Sequence, residues 1–93
     1  MDVSLKLPRQ ILDEENFLEI AFYEIEADRF RPHGWRYRLA WIHKGKCRVL
    51  FDNHHGKADH YHLNGEENPY VFSTIGQLRL DFIELVRKQG GPV

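Results

Sequence analysis

Apolar and polar residues alternate along much of this chain, and the alternation predicts a sheet. From Trp35 to Ile42, the residues Trp35, Tyr37, Leu39 and Trp41 fall on one side and Arg36, Arg38, Ala40 and Ile42 on the other, the repeat of a half-buried strand. Lys46 to Asp52 repeats the pattern, with Cys47, Val49 and Phe51 facing one way and Lys46, Arg48, Leu50 and Asp52 the other. A three-residue loop, His43-Lys44-Gly45, with glycine in the left-handed position, opposes Trp41 to Cys47, Leu39 to Val49 and Tyr37 to Phe51. That register unites the apolar faces and sets Arg36 against Asp52. A two-residue loop would set Trp41 against Arg48 and mix the faces, which a one-sided core penalises.

A third strand follows the turn "NHHGK": in "ADHYHL", Tyr61 and Leu63 join the core side, and His60 and His62 join the arginines. "NGEENP" reads as a loop, and Asn68-Pro69-Tyr70 as a rigid turn ahead of the last helix. Thr74, with Gln77 three residues on, is a capping-box pattern, and Ile75, Leu78, Phe82, Leu85 and Val86 form an apolar stripe at helical spacing. Trp35, Leu39, Val49 and Phe51 are expected to be buried under Leu78, Phe82 and Leu85. Upstream, "FLEIAFYEIEA" fits either period: Leu18, Ala21, Phe22 and Ile25 suit a helix, while Leu18, Ile20 and Phe22 suit a strand. The turn-like "DEEN" after "LKLPRQIL" suggests a hairpin, and the aromatic content leans toward strand. The expected fold class is α+β: a meander of about five antiparallel strands with a C-terminal α-helix packed on one face.

Composition sets bounds on this picture. At 93 residues a second domain would leave each half too small for its own core, so one domain spanning residues 1–93 is expected. With 29% charged residues there is no apolar stretch near the ~20 residues of a membrane span. The N-terminus has no cationic segment followed by an apolar run, so the expectation is a cytoplasmic protein without a membrane partner. The single Cys47 allows no internal disulfide and no cysteine-based zinc site. The net charge of −1 conceals a segregation. Residues 1–28 hold eight acids and two bases, whereas residues 29–51 hold seven Lys/Arg and no acid. A basic stretch in a near-neutral protein points to a local anion site.

The stretch "DNHHGKADHYH", residues 52–62, holds four of the six histidines. With His60 and His62 on the arginine face, Arg36, Arg38 and Arg48 would hold phosphate through their planar donor forks, and the histidines could exchange protons near neutral pH. Metal-free RNA cleavage needs a base for the 2′-hydroxyl, an acid for the leaving oxygen and cations for the developing charge. On this reading Lys57, His60 and His62 are the catalytic candidates, and Arg36, Arg38, Arg48, Asp52 and Asn53 bind substrate. The same residues allow a metal reading, since histidines at i and i+2 on a strand converge, with Asp52, His54 or His55 as a third ligand. Nearby arginines raise the cost of a divalent cation there, so the expectation is no metal and no cofactor. A third reading is a polar hairpin, with His54 and His55 in a turn and His60 and His62 facing water. Trp35, Tyr37 and Trp41 could stack bases, but their phase with Leu39 assigns them to the core. Gly56 is a turn residue, because "GKAD" is too poor in glycine for a phosphate loop.

"LFDN", "HGKADHYH" and "NPYVF", followed by a leucine-rich C-terminal helix, resemble the TumE family of small toxins from toxin–antitoxin operons. The resemblance covers Phe17 to Val86. Asp52, Asn53, Gly56, Lys57, His60 and His62 match the family's pattern position by position, while Phe51 stands for its tyrosine and Asn68 for its acidic residue before proline. The resemblance implies a strand pair at the start, which turns "FLEIAFYEIEA" toward strand, and a growth-inhibiting protein neutralised by a helix-turn-helix antitoxin. It implies no particular reaction. RNA as target follows only by analogy with other small toxins, and the alternatives are a non-catalytic module that binds nucleic acid or a partner, and a small metal-binding protein. A homodimer is a further candidate assembly.

Overall fold

The computed structural model describes residues 4–54 and 56–93. Its strands are β1 (Ser4–Lys6), β2 (Gln10–Ile11), β3 (Asn16–Glu24), β4 (Trp35–His43), β5 (Lys46–Asp52), β6 (His60–Leu63) and β7 (Glu66–Pro69), and the helix is α1 (Ile75–Lys88). Every pairing is antiparallel, and the sheet runs β1-β3-β4-β5-β6-β7 with β2 also on β3. The α+β architecture is therefore as expected, with seven strands where about five were foreseen. "FLEIAFYEIEA" is strand through Glu24, pairing along its length with β4.

One face of the sheet carries the core. Leu18, Ile20 and Phe22 of β3, Tyr37, Leu39 and Trp41 of β4, and Val49 and Phe51 of β5 are buried with Leu78, Phe82 and Val86 of α1. Trp35 and Leu85 pack at the margin of this cluster and stay partly exposed. The helix starts where the capping box places it: Thr74 Oγ1 accepts a hydrogen bond from the Gln77 N–H at 3.0 Å. Its Phe82 meets Phe51 edge-on, with ring centroids 6.0 Å apart.

The β4–β5 hairpin reaches the expected union of faces by a different device. Lys44 (φ 49°) and Gly45 (φ 77°) form a two-residue turn of the primed type, with His43 paired to Lys46. The register then slips between Trp41 and Ile42, so that Ile42 faces Cys47 while Trp41 faces Val49 and Leu39 faces Phe51. Arg48 is the extra residue of this bulge, and the bulge restores the phase that the short turn would have lost. Three expectations change as a result. Asp52 pairs with Arg38 and not with Arg36; Cys47 shares the face of Ile42; and Arg48 leaves the arginine face, its guanidinium lying 5.5 Å from the Trp41 ring centroid with Nε donating to Asn64 Oδ1.

"NGEENP" is a hairpin and not a loop. Asn64 (φ 50°) and Gly65 (φ 86°) make a second primed turn, and Glu66–Pro69 pairs with His60–Leu63, placing Glu67 opposite His62. Pro69 is tolerated because β7 is an edge strand. No helix among the described residues is long and apolar enough to cross a membrane.

Candidate functional site

The face away from α1 collects the polar chemistry. Alternation along β5 and β6 puts Leu50 and Asp52 opposite His62 and His60, and β7 adds Glu67 beside His62. Asp52 is the centre of the group. Its side chain is 2% exposed, Oδ1 lies 2.6 Å from His60 Nε2, and Oδ2 lies 2.7 Å from Nε2 of His54. His60 is 6% exposed and His54 is 68% exposed, so one buried carboxylate stands between a buried and an open imidazole. Nδ1 of His60 contacts the Ala58 carbonyl at 2.9 Å. The rings of His60 and His62 meet edge to face at 5.0 Å.

Glu67 ties the remaining candidates to this group. Its Oε1 accepts a hydrogen bond from Lys57 Nζ at 3.1 Å and lies 3.6 Å from Nε2 of His62. The Lys57 ammonium is the main reason that the Glu67 carboxyl is held below the usual carboxylate range, with His60 and His62 adding to it. His62 and Lys57 are the accessible members on this side, at 30% and 54% exposure.

Next to His54 opens a cleft of about 930 Å³ between the Leu7–Arg9 connection and strands β3 and β4. Lys6, Arg9, Arg36 and Arg38 line it against the single carboxylate of Glu19, and the ring of His54 forms one end. Arg36 stacks its guanidinium over Tyr23 at 4.5 Å, while Arg38 and Arg9 reach the two oxygens of Glu19 at 3.2 and 3.4 Å. The cleft is cationic and carries an aromatic face.

Asn53, expected to touch substrate, is fully buried and is employed elsewhere. Its Oδ1 accepts from the Tyr37 N–H at 3.0 Å, and its Nδ2 donates to the Trp35 carbonyl at 2.8 Å and to Asp59 Oδ1 at 3.0 Å. The side chain continues the sheet where β5 has ended. Asp59 also accepts from the Tyr37 hydroxyl at 2.6 Å and faces His33 Nε2 at 3.0 Å. Since Nδ1 of His33 takes the Trp35 N–H at 3.1 Å, the proton of a neutral His33 sits on Nε2 and points at Asp59. Burial, and then the bond to Asp59, raise the Tyr37 phenol far above its ordinary value. This network anchors Asp59, the residue before β6 and two after Lys57.

Sequence reading thus foresaw the meeting of Asp52, His60 and His62 on the face of Arg36 and Arg38. Glu67, Lys6, Arg9 and Tyr23 were not foreseen, and His54 appeared only as a turn residue or metal ligand. His55, the other suggested ligand, lies outside the described residues. No curated protein and no solved structure matches the chain. The family model described as Toxin TumE matches residues 3–89, nearly the whole length. Two of the motifs that carry the resemblance, "LFDN" and "HGKADHYH", supply Asp52, Lys57, His60 and His62 to the cluster, and the chain belongs to the TumE toxin family.

Proposed function

We propose that this chain is the toxin of a toxin–antitoxin pair and that it binds and cleaves RNA in the cytoplasm until a helix-turn-helix antitoxin neutralises it. The observation that carries the reading is the junction of the cationic cleft with His54, whose open ring is backed by the buried carboxylate of Asp52 at 2.7 Å. Arg36 and Arg38, with Lys6 and Arg9 across the cleft, hold the phosphodiester backbone. Tyr23 offers a stacking surface for an unpaired base, which suits single-stranded RNA better than a duplex. His54 takes the proton of a 2′-hydroxyl as that oxygen bonds to the adjacent phosphorus, and Asp52 favours the imidazolium that results. The bond from phosphorus to the 5′-oxygen breaks, and that oxygen takes a proton from the ammonium of Lys57, which Glu67 holds at 3.1 Å.

His60 has a different part from the one first assigned to it. With Nδ1 against the Ala58 carbonyl and Nε2 beside Asp52, it does not meet solvent and leaves proton exchange with a substrate to the open ring of His54. The test is induction of the chain in cells without the antitoxin, following growth and RNA together. Growth arrest accompanied by RNA fragments, both relieved by co-expression of a cognate helix-turn-helix antitoxin, is the expected result. Arrest with intact RNA would replace cleavage with the non-catalytic binding module.

A further inference from the structure

We propose that Asp52, His60 and His62 bind one divalent transition-metal ion of the zinc class. The inference does not rest on RNA cleavage, because it follows from the three side chains alone. One donor atom from each lies within 4.8 Å of the other two.

The contact between Asp52 and His60 is the informative one. A backbone carbonyl can only accept, so the 2.9 Å contact with Ala58 puts a proton on Nδ1 of His60. In the neutral ring Nε2 then presents a lone pair, and 2.6 Å away stands Asp52 Oδ1 with lone pairs of its own. Such a pair, buried, repels unless both lone pairs share a cation lying to one side of it. A second ring proton would serve if it pointed along the line between the two atoms. Yet Oδ1 accepts no hydrogen bond among the described residues, although the distance is short enough for one. What is missing is direction. Donors that converge on a common third point have this arrangement, each aimed at the ion and neither at the other. The carbonyl on Nδ1 is also the partner that metal-bound imidazoles use to fix their tautomer.

The donor set of two imidazoles and one carboxylate suits Zn²⁺, Co²⁺ or Ni²⁺, where Mg²⁺ and Ca²⁺ prefer oxygen alone. Three protein ligands leave a position open on the exposed side of His62. The charge argument against a metal weakens on this geometry. Arg48 has left the face, Arg36 lies over Tyr23, and Arg38, although opposite Asp52 in register, directs its guanidinium to Glu19.

The test uses the tag-free chain in the absence of RNA. Calorimetric titration with Zn²⁺ should give one ion per chain, and Co²⁺ should give visible absorption bands of a low-coordinate site. Asp52→Asn and His62→Gln should each weaken binding by at least about tenfold. Should the variants fail to fold, the wild type decides through its imidazole nitrogen resonances, since Zn²⁺ should shift Nε2 of His60 together with one ring nitrogen of His62. No stoichiometric binding, binding unaltered in both variants, or a His60 ring that keeps two protons after Zn²⁺ is added would overturn the proposal. Because no RNA is present, that failure would leave the cleavage reading to its own test.

Discussion

Asp52 Oδ2 lies 2.7 Å from Nε2 of His54, joining a carboxylate that solvent does not reach to a ring that is 68% exposed. The end of β5 holds the carboxylate and the residues just beyond it hold the ring. The carboxylate is buried, and the imidazole ring beside it is open to the cleft.

If His54 carries the proton transfer, His54→Ala should slow RNA cleavage by roughly 10²- to 10⁴-fold, the usual contribution of general acid–base catalysis. Affinity for the same RNA should stay nearly unchanged, because the cations of the cleft are intact. Single-turnover cleavage and a binding isotherm on one RNA separate the two effects. Equal losses of binding and rate would assign His54 to substrate holding.

Arg36→Ala and Arg38→Ala should act on affinity. For single-stranded RNA each lost phosphate contact should reduce the slope of log affinity against log salt by about 0.7. Arg48→Ala serves as the control, since its guanidinium lies over the Trp41 ring and its removal should leave the slope unaltered. A salt slope that depends on Arg48 as strongly as on Arg38 would place the nucleic acid on the wrong face.

Asn53→Ala should lower stability without touching the cleft. It leaves the Tyr37 N–H and the Trp35 carbonyl without their side-chain partner, at about 1–3 kcal/mol for each buried group left unsatisfied. Urea denaturation measures this directly. A variant as stable as the wild type, with weakened RNA binding, would return Asn53 to the substrate site.

Acid stability should report the loop between β3 and β4. Asp28 accepts from the Arg31 guanidinium and from the backbone N–H groups of Arg31 and Phe30, and the Arg31 side-chain bond is the main cause that brings its carboxyl from 3.8 down to about 2. The folded state therefore takes up its proton later than the unfolded state as pH falls. The contribution is complete above the unfolded value and is lost as pH drops through about 2. The stability difference between wild type and Asp28→Asn, measured by urea denaturation at a series of pH values, should be constant near neutrality and shrink across that window. A difference that stays constant down to pH 2 would show that the ion pair does not form.

Periodicity revealed β4, β5, β6 and α1 because each buries one face, and a single residue out of phase would expose Leu39, Phe51 or Phe82. It could not reveal the bulge at Arg48. A repeat of two shows which residues share a face only while the strand is regular, and the wrong partner for Asp52 followed from that. The Asn64-Gly65 turn was legible, since Asn-Gly between alternating residues is a strong hairpin signal, and recognising it brings Glu67 opposite His62. The His33, Asp59 and Tyr37 network had no local signal. Its members are 22 and 26 residues from Asp59 and meet only when the sheet has formed. The cleft was hidden for the same reason, because Lys6 and Arg9 reach Arg36 and Arg38 only through the folding of the N-terminal arm along β3.

The most direct measurement is cleavage of an end-labelled single-stranded RNA by the purified chain, with and without added Zn²⁺, compared with His54→Ala at concentrations that saturate the RNA. The account predicts fragments from the wild type and, with binding matched, a rate lower by roughly 10² or more in the variant. RNA left intact by a wild-type protein that binds it, or fragments produced equally by His54→Ala, would contradict it.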